Sequence, residues 1–327
     1  MHSLIILIVI LAIVFDISNG WNDSANAIAT VVSTRVLSPI KAVLLAASMN
    51  IAGAFFSTAV AKTIGKGIVD PSAVTEPVVA SALLAGFVWN GVMTLAGMPV
   101  SASHALIGGL IGSAVAFGGY GILNMDGLMK IFTALLTSPI FGIVFGYLLM
   151  KLIIRIFCNV SPGVLNKHFG RLQLISSGFM AFSHGSNDAQ KVMGVITLAL
   201  VSGGYLHSVE VPFWVVLSCA LAMGTGTAMG GWRVIKTLGH QMMKLQPVHG
   251  FAAETAATAI ILGASHMGLP VSTTHVITTS IMGVGATKRV SAVRWGIAKK
   301  IVMAWVFTLP MCGILAWLIY EILIRIV

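Results

Sequence analysis

This chain is poor in charge. Asp, Glu, Lys and Arg make up only 9% of its 327 residues, against about 25% in a soluble domain. Hydrophobic residues make up 57%, and the mean hydropathy is +0.98. An ordinary soluble globule is thereby excluded. Lipid leaves a chain few ways to satisfy its backbone, so an integral membrane protein made mostly of helices is expected. Acidic residues are scarcest, 9 against 19 basic ones, for a net charge of +10. Such a balance can mark a nucleic-acid binder. Here the basic residues gather in short connectors between apolar runs, which is the positive-inside pattern and excludes a nucleic-acid partner. The three cysteines, Cys158, Cys219 and Cys312, are scattered, with neither metal-ligand spacing nor a disulfide framework. Met1 to Phe15 lacks the basic segment and small-residue cleavage site of a signal peptide and reads as part of the first helix. No His-Glu-x-x-His, Gly-x-Gly-Asp or Asp-rich prenyl-pyrophosphate motif occurs, which argues against an intramembrane enzyme.

Against this apolar background two polar stretches stand out. Asn19-Gly20-Trp21-Asn22-Asp23-Ser24-Ala25-Asn26 interrupts a run long enough to cross a bilayer, and His184-Gly185-Ser186-Asn187-Asp188-Ala189-Gln190-Lys191 repeats its Gly-x-Asn-Asp core 165 residues later. A charge near the bilayer centre costs roughly 2.5–3.5 kcal/mol on the insertion scale, so such residues are functional candidates by default. Each stretch is expected to break its helix. A second pair of motifs recurs in the same order. Gly97-Met98-Pro99-Val100-Ser101-Ala102-Ser103-His104 and Gly268-Leu269-Pro270-Val271-Ser272-Thr273-Thr274-His275 share Gly-x-Pro-Val-Ser-x-x-His at an offset of 171. Two motifs in one order at nearly one offset indicate an internal duplication. In each, Pro interrupts a helix and Ser can cap a new one. The arm from Ser272 to Ala286 spans about 23 Å as helix, short of a full crossing. Each motif is therefore read as the tip of a re-entrant hairpin.

The expected architecture is an all-α membrane protein of two inverted-topology repeats, each with a broken helix and a re-entrant helical hairpin. The first repeat spans 1–157, with a broken helix at 4–35 and a hairpin at 77–118. A short cytoplasmic linker follows at 158–170. The second repeat spans 171–327, with a broken helix at 172–201 and a hairpin at 249–286. With the N-terminus outside and each hairpin returning to its own side, the inner connectors hold 14 of the 19 basic residues: Arg35, Lys41, Lys151, Arg155, Lys167, Arg171, Arg233, Lys236, Lys244, Lys288, Arg289, Arg294, Lys299 and Lys300. That separation supports the hairpins and the orientation together. Inverted repeats with opposed broken elements point to a secondary transporter.

The motifs carry a chemistry. Unwound backbone at Asn22-Asp23 and Asn187-Asp188, with Asn26, would offer amide oxygens, carbonyls and carboxylates, an oxygen-rich setting for Na⁺ or for a proton on Asp23 or Asp188. Helix N-termini at Ser101–His104 and Ser272–His275 make anion sites, and the hydroxyls of Ser101, Ser103, Ser272, Thr273 and Thr274 add donors without charge. Two such tips entering from opposite sides suit a tetrahedral oxyanion. The carboxylates would repel it unless cations came with it, which suggests cotransport. His104 and His275 read as backbone-holding histidines before proton carriers. Lys191 could pair with Asp188, meet the anion or snorkel. Glu254, in a hairpin arm, must find a partner or water. Asn50 could face the site or pack between helices.

At these residues the chain resembles the inorganic phosphate transporter (PiT) family of cation-coupled symporters. The family's Gly-x-Asn-Asp-x-x-(Asn/Lys) signatures match Gly20–Asn26 and Gly185–Lys191, and its paired Pro-x-Ser-x-x-His hairpins match Pro99–His104 and Pro270–His275. The resemblance implies an inverted-repeat protein of the cell membrane, usually a homodimer, that moves inorganic phosphate with Na⁺ or H⁺ and needs no other cofactor. It places phosphate at Ser101, Ala102, Ser103, Ser272, Thr273 and Thr274 with Asn22 and Asn187, and Na⁺ at Asp23 and Asp188. Asn50, Glu254, Gln190, Lys191, His104 and His275 are auxiliary candidates. The family also includes sulfate permeases, so a sulfate or other oxyanion symporter is the alternative. Many relatives have a long hydrophilic central loop; here only about Cys158 to Gly170 separates the halves, leaving no room for a soluble domain.

Overall fold

The computed structural model describes residues 2–71 and 74–326. Among them the regular structure is helical, apart from one isolated bridge between Val69 and Leu123. In chain order the helices are α1 (His2–Ser33), α2 (Pro39–Ala54), α3 (Ala59–Gly67), α4 (Glu76–Leu95), α5 (Ala102–Gly118), α6 (Met125–Ile156), α7 (Pro162–Ser202), α8 (Phe213–Met229), α9 (Trp232–Lys236), α10 (Pro247–His266), α11 (Thr273–Ala286) and α12 (Trp295–Ile326). A π-helical turn, Thr237–Gln241, extends α9. Local chemistry sets many of the boundaries. Pro39, Pro77, Pro162 and Pro247 sit in first turns, where no N–H is required. Asn124 caps α6 by accepting from the Gly127 amide at 3.0 Å. Helices α1, α4, α6 and α12 are long and apolar enough to cross a membrane.

Two sequence expectations fail here. Helix α1 runs through Asn19–Asn26 without a break, and α7 runs through His184–Lys191. Asn22, Asp23, Asn26, Asn187, Asp188 and Gln190 each bond to a neighbouring helix, so they are held without unwinding. The glycines serve close approach instead. A Cβ on Gly20 would lie 2.5 Å from the Met223 carbonyl oxygen of α8, and one on Gly185 would lie 2.2 Å from that of Asn50 in α2. The reciprocal contacts are Gly226 against Ile17 O and Gly53 against Phe182 O. The chain breaks elsewhere: α2 and α3 meet at 70°, α8 and the α9 segment at 63°. Residues 162–170 of the connector are helical, the first turns of α7.

Two consecutive helix pairs pack together, α4 with α5 and α10 with α11. Helices α4 and α5 flank one tip, and α10 and α11 the other. Both first arms end in the same hydrogen-bonded stop. Gly97 N–H donates to Thr94 O and Met98 N–H to Met93 O; Gly268 and Leu269 repeat this onto Ser265 and Ala264. The motif needs a left-handed residue, and Gly97 and Gly268 supply φ values of 71° and 69°. Helix α5 packs on α12, and α11 on α6. Those two partners carry internal prolines, Pro139 and Pro310, at the same offset of 171 as the tips.

Candidate functional site

The two hairpin tips touch. Ser103 Oγ donates to the Val271 carbonyl at 3.1 Å, and Thr274 Oγ1 donates to the Val100 carbonyl at 3.1 Å. The contacts are reciprocal, for Thr274 follows Ser103 by 171 residues and Val271 follows Val100 by the same number. Each tip starts its second arm with a serine cap. Ser101 Oγ accepts from His104 N–H and Ser272 Oγ from His275 N–H. The first-turn amides of α5 and α11 are thus brought together end to end, with the positive ends of both helix dipoles.

The signature asparagines lock α1 and α7 to these tips. Asn22 Nδ2 donates to Thr94 Oγ1 at 2.7 Å and to Met98 O at 3.5 Å. Asn187 Nδ2 donates to Ser265 Oγ at 2.9 Å and to Leu269 O at 3.3 Å. Thr94 and Ser265, and Met98 and Leu269, are again 171 apart. Asn187 Oδ1 also accepts from Val271 N–H. Asn26 Nδ2 reaches the hydroxyls of Thr274, at 3.0 Å, and Thr273, at 3.5 Å.

Between the tips and the helices lies a buried charged cluster. Asp23 and Asp188 are each 1% exposed. Thr274 Oγ1 donates to Asp23 Oδ1 at 3.1 Å, and Thr273 Oγ1 to Asp188 Oδ2 at 2.9 Å. Lys191 Nζ donates to Asp188 Oδ1 at 2.5 Å and to the Val271 carbonyl at 2.7 Å. His184 bridges the two carboxylates, its Nε2 3.4 Å from Asp188 and 3.6 Å from Asp23. Ligand atoms of Asp23, His184 and Asp188 all lie within 4.8 Å of one another, close enough to hold one cation. The amide oxygens of Asn19, Asn22 and Asn26 are buried without hydrogen-bond partners, which leaves acceptors available.

The model of the phosphate transporter family matches residues 19–316. The chain belongs to the phosphate transporter family. It is 48% identical to a probable low-affinity inorganic phosphate transporter of Bacillus subtilis, over 98% of this chain and 97% of that protein. It is 46% identical to a protein of the same description from Rhizobium meliloti, over 97% and 96%. A solved structure described as the sodium-dependent phosphate transporter superposes with a TM-score of 0.92 at 25% identity, covering 99% of this chain and all of that one.

In this phosphate transporter family member the auxiliary candidates fall into two groups. Lys191 belongs to the charged cluster. Asn50 adjoins it: its Oδ1 accepts from His184 Nδ1 at 2.9 Å and its Nδ2 donates to Thr227 at 2.8 Å. Gln190 stands apart, with its Oε1 accepting from Val60 N–H at the start of α3. Ala102 brings no polar side-chain atom, and only its backbone can serve. The expectation that the rings of His104 and His275 hold backbone differs from what is seen. They lie against each other with centroids 4.6 Å apart; His275 stacks on Trp305 at 3.9 Å, and His104 Nδ1 bonds Ser101 Oγ. Trp305 in turn donates to the Pro99 carbonyl. Glu254 lies away from the cluster, accepting from Thr30, Gln173 and Ser176.

Sequence reasoning missed Asp16, and it singled out Asn19 and His184 within the polar stretches without giving either a role. A signal was present. Asp16, Asn19, Asp23, Asn26 and Thr30 alternate spacings of three and four, so they share one face of α1.

Proposed function

We propose that this chain imports inorganic phosphate by symport with Na⁺ or H⁺, by alternating access around a site between the hairpin tips. The observation that carries this is the reciprocal Ser103–Val271 and Thr274–Val100 contact, which sets two helix N-termini together beside two buried carboxylates. Phosphate takes the amides and hydroxyls of Ser101, Ala102, Ser103, Ser272, Thr273 and Thr274, with Asn22 and Asn187 fixing the tips. Cations take Asp23 and Asp188 with the oxygens of Asn22, Asn26 and Asn187.

The same hydroxyls explain coupling. A hydroxyl has one proton to give; Thr273 gives its own to Asp188, and Thr274 shares its own between Asp23 and the Val100 carbonyl. A cation that takes over the carboxylates releases these donors to phosphate and offsets the anion's charge. Cation and phosphate then bind better together than apart, which is the thermodynamic requirement for symport.

The offset-matched contacts support two inverted repeats, 1–157 and 171–327, and short second arms support re-entrant hairpins. Helix α11, at 14 residues, rises about 21 Å, less than the roughly 30 Å hydrocarbon core. The basic connectors support a cell-membrane protein with the N-terminus outside and the central connector cytoplasmic. Assembly as a homodimer is part of the same reading and rests on the resemblance alone. The test is radiolabelled phosphate uptake into proteoliposomes under an imposed Na⁺ gradient, then a pH gradient, with excess sulfate as competitor. Concentrative uptake that resists sulfate and is lost in Asp23→Asn and Asp188→Asn is expected. Uptake abolished by sulfate assigns another oxyanion, and no uptake under either gradient refutes the symporter.

A further inference from the structure

Asp16 is the one carboxylate on the polar face of α1 for which the site described above has no use. It is fully buried, and neither Oδ1 nor Oδ2 has a hydrogen bond of ordinary geometry, the Asn19 side chain being its one polar neighbour within weak bonding reach. Its fellows on that face are engaged: Asp23 and Asn26 with the second tip, Thr30 with Glu254. Asn19, one turn along, has its amide oxygen unpartnered as well. Asp16 lies seven residues before Asp23, about 10 Å along the helix axis. The ionisable groups near enough to act on it are Asp188, His184 and Lys191 of α7 and Cys219 of α8. Helices α2 and α4, which also pack on α1, carry their only ionisable groups, Lys41 and Glu76, in their first turns.

The chain therefore holds three kinds of buried carboxylate. Asp188 has an ammonium, and Asp23 has His184 and a threonine hydroxyl. Glu254 has three donors. Asp16 has none of ordinary geometry. A bare ionised carboxylate in such surroundings carries a very large solvation cost, and neutralisation by a proton removes it. We propose that Asp16 is a proton-binding site of this transporter, which takes up one H⁺ as the neutral acid and releases it with each transport cycle, Asn19 lying between it and the His184 cluster. This rests on the symport reading above and names H⁺ as a coupling ion. In the closed protein the neutral acid is the tolerated form. The carboxylate becomes tolerable when water reaches it, so loss and gain of the proton are tied to opening of the site. Asp16 bonds to neither tip, so phosphate can still bind without its charge.

The test separates coupling from phosphate binding. Wild type, Asp16→Asn and Asp16→Glu are reconstituted, and two rates are measured: phosphate accumulation driven by a pH gradient, and phosphate exchange at equal pH on both sides. Wild type is expected to do both. Asp16→Asn is expected to lose accumulation at least tenfold and still exchange phosphate, while Asp16→Glu keeps measurable accumulation. Infrared spectra of purified protein at neutral pH are expected to show the C=O stretch of a weakly bonded carboxylic acid in wild type and not in Asp16→Asn. Undiminished pH-driven accumulation in Asp16→Asn overturns the proposal, as does a wild-type spectrum without that band, which needs no variant to fold. Failure of wild type to exchange phosphate refutes the phosphate reading itself, a distinguishable result.

Discussion

Gly185→Ala is expected to destabilise the protein through one contact. The new Cβ would lie 2.2 Å from the Asn50 carbonyl oxygen and 2.7 Å from its Cα, where ordinary contact begins at 3.4 Å. Backbone cannot rotate away as a side chain can, so α2 and α7 must separate by about 1 Å. Overpacking of this kind costs about 1–3 kcal/mol, and the better helix propensity of Ala returns at most about 1 kcal/mol. A net loss of about 1–2 kcal/mol follows. Separation would also stretch the 2.9 Å bond from His184 to Asn50 beyond hydrogen-bonding range, so transport falls as well. Gly163→Ala is the control: it lies in the first turn of the same helix and its Cβ would meet nothing within 4 Å. The assay is the temperature at which half the detergent-solubilised protein leaves the monodisperse peak. Gly185→Ala should fall by several degrees, and Gly163→Ala should hold or rise slightly. Equal midpoints would refute the close-approach explanation for the motif glycine.

Other substitutions separate the parts of the site. Ser101→Ala and Ser272→Ala each remove a cap that accepts the N–H three residues on, at about 1 kcal/mol apiece; thermal midpoints should fall for each and further for the double variant. Asn187→Ala cuts three bonds from α7 to the second hairpin, so phosphate uptake should fall at least tenfold, with Asn22→Ala close behind. Glu254→Ala strips three donors of their acceptor in the core, and loss of about 3 kcal/mol should appear as poor yield, whereas Glu254→Gln retains an acceptor and should fold.

The duplicated tips could be read from sequence because their chemistry is local. Proline stops an arm, glycine turns it and serine caps the next, and each acts within a few residues of itself. Asn22, Asp23, Asn187 and Asp188 were legible as polar residues misplaced in apolar runs. Their partners were not, because Asn22–Thr94 and Asn187–Ser265 join residues 72 and 78 apart. The same long-range satisfaction explains the wrong expectation of unwound helices at 19–26 and 184–191. Propensity favours a break there, and tertiary bonds overrule it. The true bends follow the short Phe55-Phe56-Ser57-Thr58 link and the Gly230-Gly231 pair, whose Gly230 has φ of 68°. Asp16 passed unnoticed because it stands outside the repeated motif, although its spacing from Asn19 and Asp23 was visible.

The measurement that bears most directly on the tips as the phosphate site is equilibrium binding of radiolabelled phosphate to purified protein, wild type against Thr273→Val and Thr274→Val, with Na⁺ and pH each varied. If the threonine hydroxyls pass from carboxylates to phosphate, wild-type binding strengthens when the cation is supplied, and each valine variant weakens it at least tenfold while reducing that dependence. Wild-type affinity in both variants, or binding indifferent to Na⁺ and to pH, would contradict a phosphate site at the hairpin tips.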